Sequence, residues 1–190
     1  MNDRRPTLTY YTATSLDGFI ADAEDSLAWL FGNDQDHEGL LNYDAFFADI
    51  GAIVMGATTY EWVLAHSADV VEEVGSPWPY DLPAFVMTHR DLSAEPGRDI
   101  RFASGEVRAV HDAMVAAADG KDLWVVGGGD LAGQFADAGL LDEVITYVAP
   151  VTLGSGRPLL PRRLALELVE TGRNRDFTCH RYRVRGPGEW

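Results

Sequence analysis

The nine residues 123–131, Leu-Trp-Val-Val-Gly-Gly-Gly-Asp-Leu, constrain the fold more than any other stretch of this chain. A run of buried-strand residues meets three glycines and passes straight into a helical pattern. A strand, a bare turn and a helix start, in that order, make an anion cradle, because unpaired N–H groups and the helix dipole converge on one point. The pyrophosphate of a dinucleotide is the usual guest. A tight turn that needs positive φ is the competing explanation. The triplet also differs from the G-x-G-x-x-G fingerprint, which weighs against an ordinary Rossmann unit.

What surrounds this turn narrows the choice. At 190 residues the chain is expected to form a single domain spanning 1–190, and 46% hydrophobic residues give it a real core. No apolar run approaches the roughly 20 residues of a membrane span, and residues 1–7 do not read as a signal peptide. Cys179 is the only cysteine, so no internal disulfide can form. A soluble, cytoplasmic protein is the expectation. The net charge of −15 argues against nonspecific binding to nucleic acid or to an anionic membrane. A phosphorylated small ligand remains compatible with it. His66, His111 and His180 have no partners at ligand spacing, so no metal site is expected.

Residues 7–13 alternate as a first strand, and 15–22 follow as a structured loop. Leu40, Tyr43, Phe47 and Ile50 recur at helical spacing, which predicts a helix over 34–49. A short buried strand at 52–56 precedes a helix capped by Thr58 or Thr59. The proline-rich segment 75–83 predicts a surface loop. Strands are expected at 84–88, 99–103 and 121–126, with helices at 107–118 and 131–138. The last third, with strands at 143–149, 164–170 and 177–184, reads as antiparallel. Strands alternating with helices predict an α/β three-layer sandwich whose central sheet is mostly parallel, with antiparallel C-terminal strands.

Three loops then follow three presumed parallel strands: 56–59, 88–90 and 127–130. Ligands bind open α/β sheets at the carboxyl ends of the strands, so the three loops should share one edge. Two supply helix starts and small residues. The third supplies a hydroxyl, an imidazole and a guanidinium. That set suits an extended, multiply phosphorylated ligand.

Four segments in this order resemble the dihydrofolate reductase superfamily: Ser-Leu-Asp-Gly-Phe-Ile-Ala (15–21), Val-Met-Gly-Ala-Thr-Thr-Tyr-Glu (54–61), Val-Val-Gly-Gly-Gly-Asp-Leu (125–131) and Ala-Pro-Val-Thr-Leu-Gly-Ser-Gly-Arg-Pro-Leu-Leu-Pro (149–161). The branch they resemble most is the C-terminal reductase domain of the riboflavin biosynthesis protein RibD, over about residues 7–185. The resemblance implies a dihydrofolate reductase-like fold, NADPH as cofactor and a homodimer built through the C-terminal strands. It implies that Gly56, Thr58 and Thr59 meet the pyrophosphate. Thr88, His89 and Arg90 would approach the adenosine ribose and its 2′-phosphate. Gly127, Gly128, Gly129, Asp130 and Leu131 would pass under the pyrophosphate and nicotinamide, with a cis peptide at Gly127–Gly128. Departures from the pattern stand beside these. Ala57 replaces an arginine typical of dihydrofolate reductases, Leu40 falls where the proton-donating acid should be, and Gly127 replaces an acid common in the riboflavin branch.

Hydride transfer asks the protein mainly to align two rings in a dry pocket, sometimes with a proton donor. Asp17, in the loop expected to border the nicotinamide, and Asp44, on the first helix, are the candidate donors. Asp17 also suits an ordinary Asp-Gly turn, and Asp44 a solvated position. Trp29, Phe31, Phe47, Tyr147 and Arg157 are candidates for the substrate pocket; core or interface roles compete for each. The reading that results is an NADPH-dependent reductase of a flat nitrogen heterocycle, of pterin, pyrimidine or flavin type, or of its ribosyl group. Reduction of 5-amino-6-(5-phosphoribosylamino)uracil is the most specific candidate reaction. A reductase of an unrelated carbonyl or imine, and a non-catalytic NADPH-binding module, are the alternatives.

Overall fold

The computed structural model describes residues 4–66, 77–188 and 190. Among the described residues, ten strands and four helices follow one another as β1 (Leu8–Thr14), β2 (Phe19–Ala21), α1 (Tyr43–Ala48), β3 (Ile50–Gly56), α2 (Ala57–Ala65), β4 (Ala84–Met87), β5 (Ile100–Ala103), α3 (Val107–Ala117), β6 (Asp122–Gly127), α4 (Gly129–Asp137), β7 (Glu143–Val148), β8 (Arg157–Pro158), β9 (Leu164–Asn174) and β10 (Phe177–Pro187). Eight of the strands form one sheet in the order β5-β4-β3-β6-β1-β7-β10-β9. Pairing is parallel from β5 through β7, and β10 runs antiparallel to both β7 and β9. β2 and β8 pair separately as a two-stranded ribbon.

Successive residues of a strand face opposite sides of a sheet, and here both sides are covered. Leu8, Tyr10, Ala52, Val54, Leu123 and Val125 pack with α3 and α4 on one face. Tyr11, Ile53, Met55 and Trp124 pack with α1 and α2 on the other. The result is the expected mostly parallel sandwich with antiparallel C-terminal strands.

Three local expectations change. The helix expected over 34–49 is confined to Tyr43–Ala48. It begins where Asn42, extended at ψ 153°, accepts a hydrogen bond from the Ala45 N–H. Leu41 before it has φ 54°, which a continuing helix cannot use. The apolar stripe is real, since Leu40, Tyr43, Phe46 and Phe47 all pack on the sheet, but only half of it is helical. Next, α2 is capped by Gly56, and neither Thr58 nor Thr59 fills that position. Finally, the proline-rich segment is anchored in the core. Trp78 is 1% exposed, and Tyr80 stands edge-on to Trp124 at 5.7 Å. Residues 75 and 76 of that segment lie outside the described residues.

His111, on α3, is 5% exposed, and neither ring nitrogen has a hydrogen-bond partner. Burial pushes its pKa down, against an opposing push from Asp112, whose carboxylate lies 3.7 Å from Nδ1. The folded state therefore prefers the neutral ring. Its contribution to stability is present above the ordinary histidine value of about 6.5 and is lost as pH falls below that, towards the lowered folded value. Urea unfolding of wild type and His111→Leu across this window is expected to show the wild type losing stability faster on acidification. Parallel profiles would refute it.

Candidate active-site cleft

The carboxyl ends of β3, β4, β5 and β6 open into one cleft of about 630 Å³, closed on the far side by the β2–β8 ribbon. Such a volume is ordinary for a small-molecule site, for which the range is roughly 300–1,000 Å³. Of the eleven residues expected to hold the cofactor, ten line it: Gly56, Thr58, Thr59, Thr88, His89, Gly127, Gly128, Gly129, Asp130 and Leu131. The parallel topology brings them together, since each follows a strand that points the same way.

Two helices start at this cleft, α2 after Gly56 and α4 after Gly128. A glycine has no side-chain acceptor, so neither cap residue can satisfy the first-turn N–H groups. The two helix dipoles add positive potential at the same place. The Gly127–Gly128 peptide is cis, as the sequence resemblance implies. Each glycine of the triplet meets different neighbours. A Cβ on Gly129 would sit 2.3 Å from the Leu159 carbonyl oxygen and 2.4 Å from that of Pro158. A Cβ on Gly127 would come within 3.2 Å of Thr59 Oγ1. A Cβ on Gly128 would meet only Ile20 Cδ1, at 3.8 Å. Gly128 thus faces open cleft, and Gly129 locks the start of α4 against the segment after β8.

Arg90 is the cofactor candidate that does not line the cleft. Its guanidinium donates to both carboxylate oxygens of Glu61, at 3.0 and 2.7 Å. Its backbone N–H donates to Thr88 Oγ1 at 2.9 Å, which shapes the turn after β4.

The two candidate proton donors are elsewhere. The Asp17 carboxylate accepts from Ser15 Oγ at 2.6 Å, from the Leu153 N–H at 3.0 Å and from the Gly154 N–H at 2.7 Å. Those bonds, the Ser15 hydroxyl foremost, push its pKa down to about 2. It is ionised at neutral pH and staples two loops together, so it has no proton to give. Asp44 is exposed on α1 beside His37 and does not line the cleft.

Of the substrate-pocket candidates, Arg157 alone lines the cleft. Trp29 packs against the core with its indole N–H buried and without a partner, and Phe31 is 73% exposed. Phe47 stacks on Tyr43 at 5.5 Å and stands edge-on to Trp124. Tyr147 is buried, its hydroxyl donating to the Leu40 carbonyl at 2.6 Å. Phe47 and Tyr147 are held by other aromatic rings, Phe47 by Tyr43, Tyr80 and Trp124 and Tyr147 by Tyr11 and Phe177, so neither is available to the cleft.

Several lining residues escape the sequence reading, among them Thr12, Ile20, Asp25, Trp62, Ser104 and Gln134. Ser104 had a usable signal, since Ser-Gly follows a parallel strand just as the other three loops do. Asp25 had none, because its role depends on Arg157. The Arg157 guanidinium donates to both carboxylate oxygens of Asp25, at 2.5 and 2.9 Å. The other carboxylate on the cleft, Asp130, accepts from Gln134 and Arg162 at 2.9 and 3.0 Å. Those partners hold both carboxyls below their usual range. Among the described residues, no group of side chains could hold a metal ion, and no helix is long and apolar enough to cross a membrane.

Known proteins are similar to this chain in sequence and share its fold. The model of the RibD C-terminal domain matches residues 82–175, from β4 through β9 with the glycine turn inside. The uncharacterized protein YwjB of Bacillus subtilis is 33% identical over 151 residues, covering 78% of this chain and 79% of YwjB. The riboflavin biosynthesis protein RibD of Mycobacterium tuberculosis is 31% identical over 158 residues, but the chain spans only 43% of its length. Among solved structures, a Shewanella sp. PV-4 protein named for riboflavin biosynthesis superposes with a TM-score of 0.77 at 25% identity, over 94% of this chain and 99% of that one. A Thermotoga maritima diaminohydroxyphosphoribosylaminopyrimidine deaminase/5-amino-6-(5-phosphoribosylamino)uracil reductase shares the fold at a TM-score of 0.64 and 17% identity, over 95% of this chain and 57% of its own. With the sheet order, the glycine turn and these matches in agreement, the chain belongs to the RibD C-terminal domain family, on a reductase-like fold.

Proposed function

We propose that the protein is an NADPH-dependent reductase that transfers a hydride to a flat nitrogen heterocycle or to its ribosyl group. The observation that carries this reading is the single cleft into which three strand-end loops and two glycine-capped helix starts open. The cleft fits a dinucleotide, because its backbone is bare where a diphosphate would lie and a side chain on Gly128 would intrude there. Thr58, Thr59 and the N–H groups at the start of α2 would hold the pyrophosphate. Thr88 and His89 would face the adenosine end, with Arg90 joining them only on release from Glu61. When bound, NADPH supplies the hydride. Ile20, Leu27 and Val126 give the cleft apolar wall, which keeps water from the reacting rings. The relatives named for riboflavin biosynthesis make 5-amino-6-(5-phosphoribosylamino)uracil, side by side with its dephosphorylated counterpart, the first pair of substrates to try.

Titration with NADPH and NADH, followed by nicotinamide fluorescence, tests the reading. NADPH is expected to bind tighter by about tenfold or more. Binding of neither would overturn it. One observation favours a second reading, a non-catalytic NADPH-binding module. Among the described residues, the carboxylates lining the cleft, Asp25 and Asp130, are both held ionised by arginines. A proton would then have to come from water or from the substrate itself. Oxidation of NADPH on addition of a pterin, pyrimidine or flavin separates the two readings, and oxidation by an unrelated carbonyl or imine would redirect the first.

The partner this reading calls for is a second copy of the chain. β9 ends the sheet with Leu166, Leu168 and Val169 exposed, and an unpaired edge of that kind invites another strand. The compartment it calls for is the cytoplasm, where NADPH is kept reduced.

A further inference from the structure

The arginine that lines this cleft has its guanidinium fork already filled. The two N–H groups of Arg157 that face Asp25 are those a phosphate would use, and the carboxylate takes both. The placement of Asp25 is set by its own loop. Asp22 Oδ1 accepts from the N–H groups of Glu24 and Ser26, at 3.0 and 2.8 Å. The Asp25 N–H donates to the Asp22 carbonyl at 3.2 Å, and Asp25 has φ 60°, in the left-handed region. The placement of Arg157 is set by the ribbon. Ala21 pairs with Arg157 and Phe19 with Pro158. Gly156 lies so close that a Cβ there would stand 2.1 Å from the Ala21 carbonyl oxygen. The backbone of both loops thus brings the carboxylate and the guanidinium face to face.

Resting on the reductase reading above, we infer that this pair selects a substrate that carries no phosphate, with Asp25 as the specificity-determining residue. The other charged residues of the lining support this. Asp130 is taken by Arg162, and His89 stands across the cleft beside β4. A phosphate entering at Arg157 would meet a carboxylate in its place. It would have to displace Asp25 and leave that charge unpaired beside a dianion, a repulsion at close range. The pair is partly exposed, with side-chain exposures of 61% and 37%, so its own contribution to stability is small. Its effect is on which ligand enters. An uncharged heterocycle, or one bearing a bare ribosyl group, meets no such barrier.

The test uses ribose 5-phosphate and ribose as probes, with the Arg157 Nε–H followed by ¹⁵N NMR. Proteins compared are the wild type, Asp25→Asn and the double variant Asp25→Asn/Arg157→Gln. Asparagine tolerates the left-handed conformation, so the loop is retained. Asp25→Asn is expected to bind ribose 5-phosphate about tenfold or more tighter than wild type. The Arg157 resonance should move with saturation, ribose should produce no such shift, and the double variant should lose the binding. Equal binding to wild type and Asp25→Asn would overturn the inference, because the phosphate then opens the pair unaided. Absence of binding to Asp25→Asn, or its persistence in the double variant, would overturn it too. None of these readouts needs NADPH, so failure of the cofactor titration would overturn the reductase reading separately.

Discussion

Gly128→Val is expected to abolish NADPH binding in a protein that still folds. The backbone at this position has φ −91° and ψ −175°, an extended conformation that a β-branched residue adopts readily. A Cβ there would meet only Ile20 Cδ1, at an ordinary contact distance of 3.8 Å. The free protein therefore accommodates the side chain, and its methyl groups occupy the space the ligand needs. The expected loss of affinity is about a hundredfold or more, with a change in Tm of no more than about 4 °C. Gly129→Ala is the informative contrast. Its Cβ would lie 2.3 Å from a backbone oxygen, and backbone cannot step aside as a side chain can. That variant should lose stability first and binding as a consequence. Calorimetric titration beside thermal unfolding separates the two outcomes. Unchanged NADPH affinity in folded Gly128→Val would show that the glycine turn is only structural.

The same contrast explains what was legible in the sequence. The placement of the glycine turn, Gly56 and the Thr88–His89 loop on the cleft could be read because it follows from local pattern and one topological rule. Each lies just beyond a parallel strand, and parallel strands deliver their carboxyl ends to one edge. Ser104 obeys that rule and was within reach. Arg157 was recognised as a cleft residue, but its meaning rests on Asp25, 132 residues earlier in the chain. Nothing in either local segment announces the pair. Arg90 shows the reverse case. Its position after β4 is as expected, yet Glu61 on α2 takes the guanidinium away from the cleft. Asp17 sits in the expected loop, but the N–H groups of Leu153 and Gly154 make it a staple rather than an acid. In Arg90, Asp17 and Arg157 alike, the partner that decides what the side chain does comes from a distant element, where local pattern does not reach.

The unformed half of the predicted helix has its cause in Asn174, at the end of β9. This residue is 3% exposed, and its amide is spent on residues 36–40 and on Tyr147. Asn174 Oδ1 accepts from the Asp36 N–H at 2.7 Å, and Nδ2 donates to the carbonyls of Asp36 and Leu40 and to Tyr147 Oη. Neighbouring bonds reinforce it. Arg175 pairs with Asp34, and the Asp34 N–H donates to the Asp176 carboxylate. These long-range bonds hold residues 34–42 against the end of the β9–β10 hairpin, where a helix would present its own carbonyls to itself. Gly39 fits only because it has no side chain, since a Cβ would stand 2.5 Å from Asn174 Nδ2.

Asn174→Ala removes all four of these bonds and leaves the Asp36 N–H without its partner, while the Asp36 and Leu40 carbonyls keep the Gly39 N–H and the Tyr147 hydroxyl. The expected destabilisation is about 2–3 kcal/mol, the range for a buried polar network that loses one member. For a chain of this size that lowers Tm by about 4–12 °C. The change should be local in hydrogen exchange, with amides of residues 34–42 released and those of β1, β3 and β6 still protected. NADPH affinity should be retained, because Asn174 does not line the cleft. A Tm equal to wild type would mean that residues 34–42 are held by apolar packing alone. Loss of NADPH binding without loss of β-sheet protection would mean that the segment reaches the cofactor end of the cleft. Retained binding in a destabilised variant would instead separate the two devices of this fold: a cradle set by glycines after β3 and β6, and a clasp set by one amide at the carboxyl end of β9.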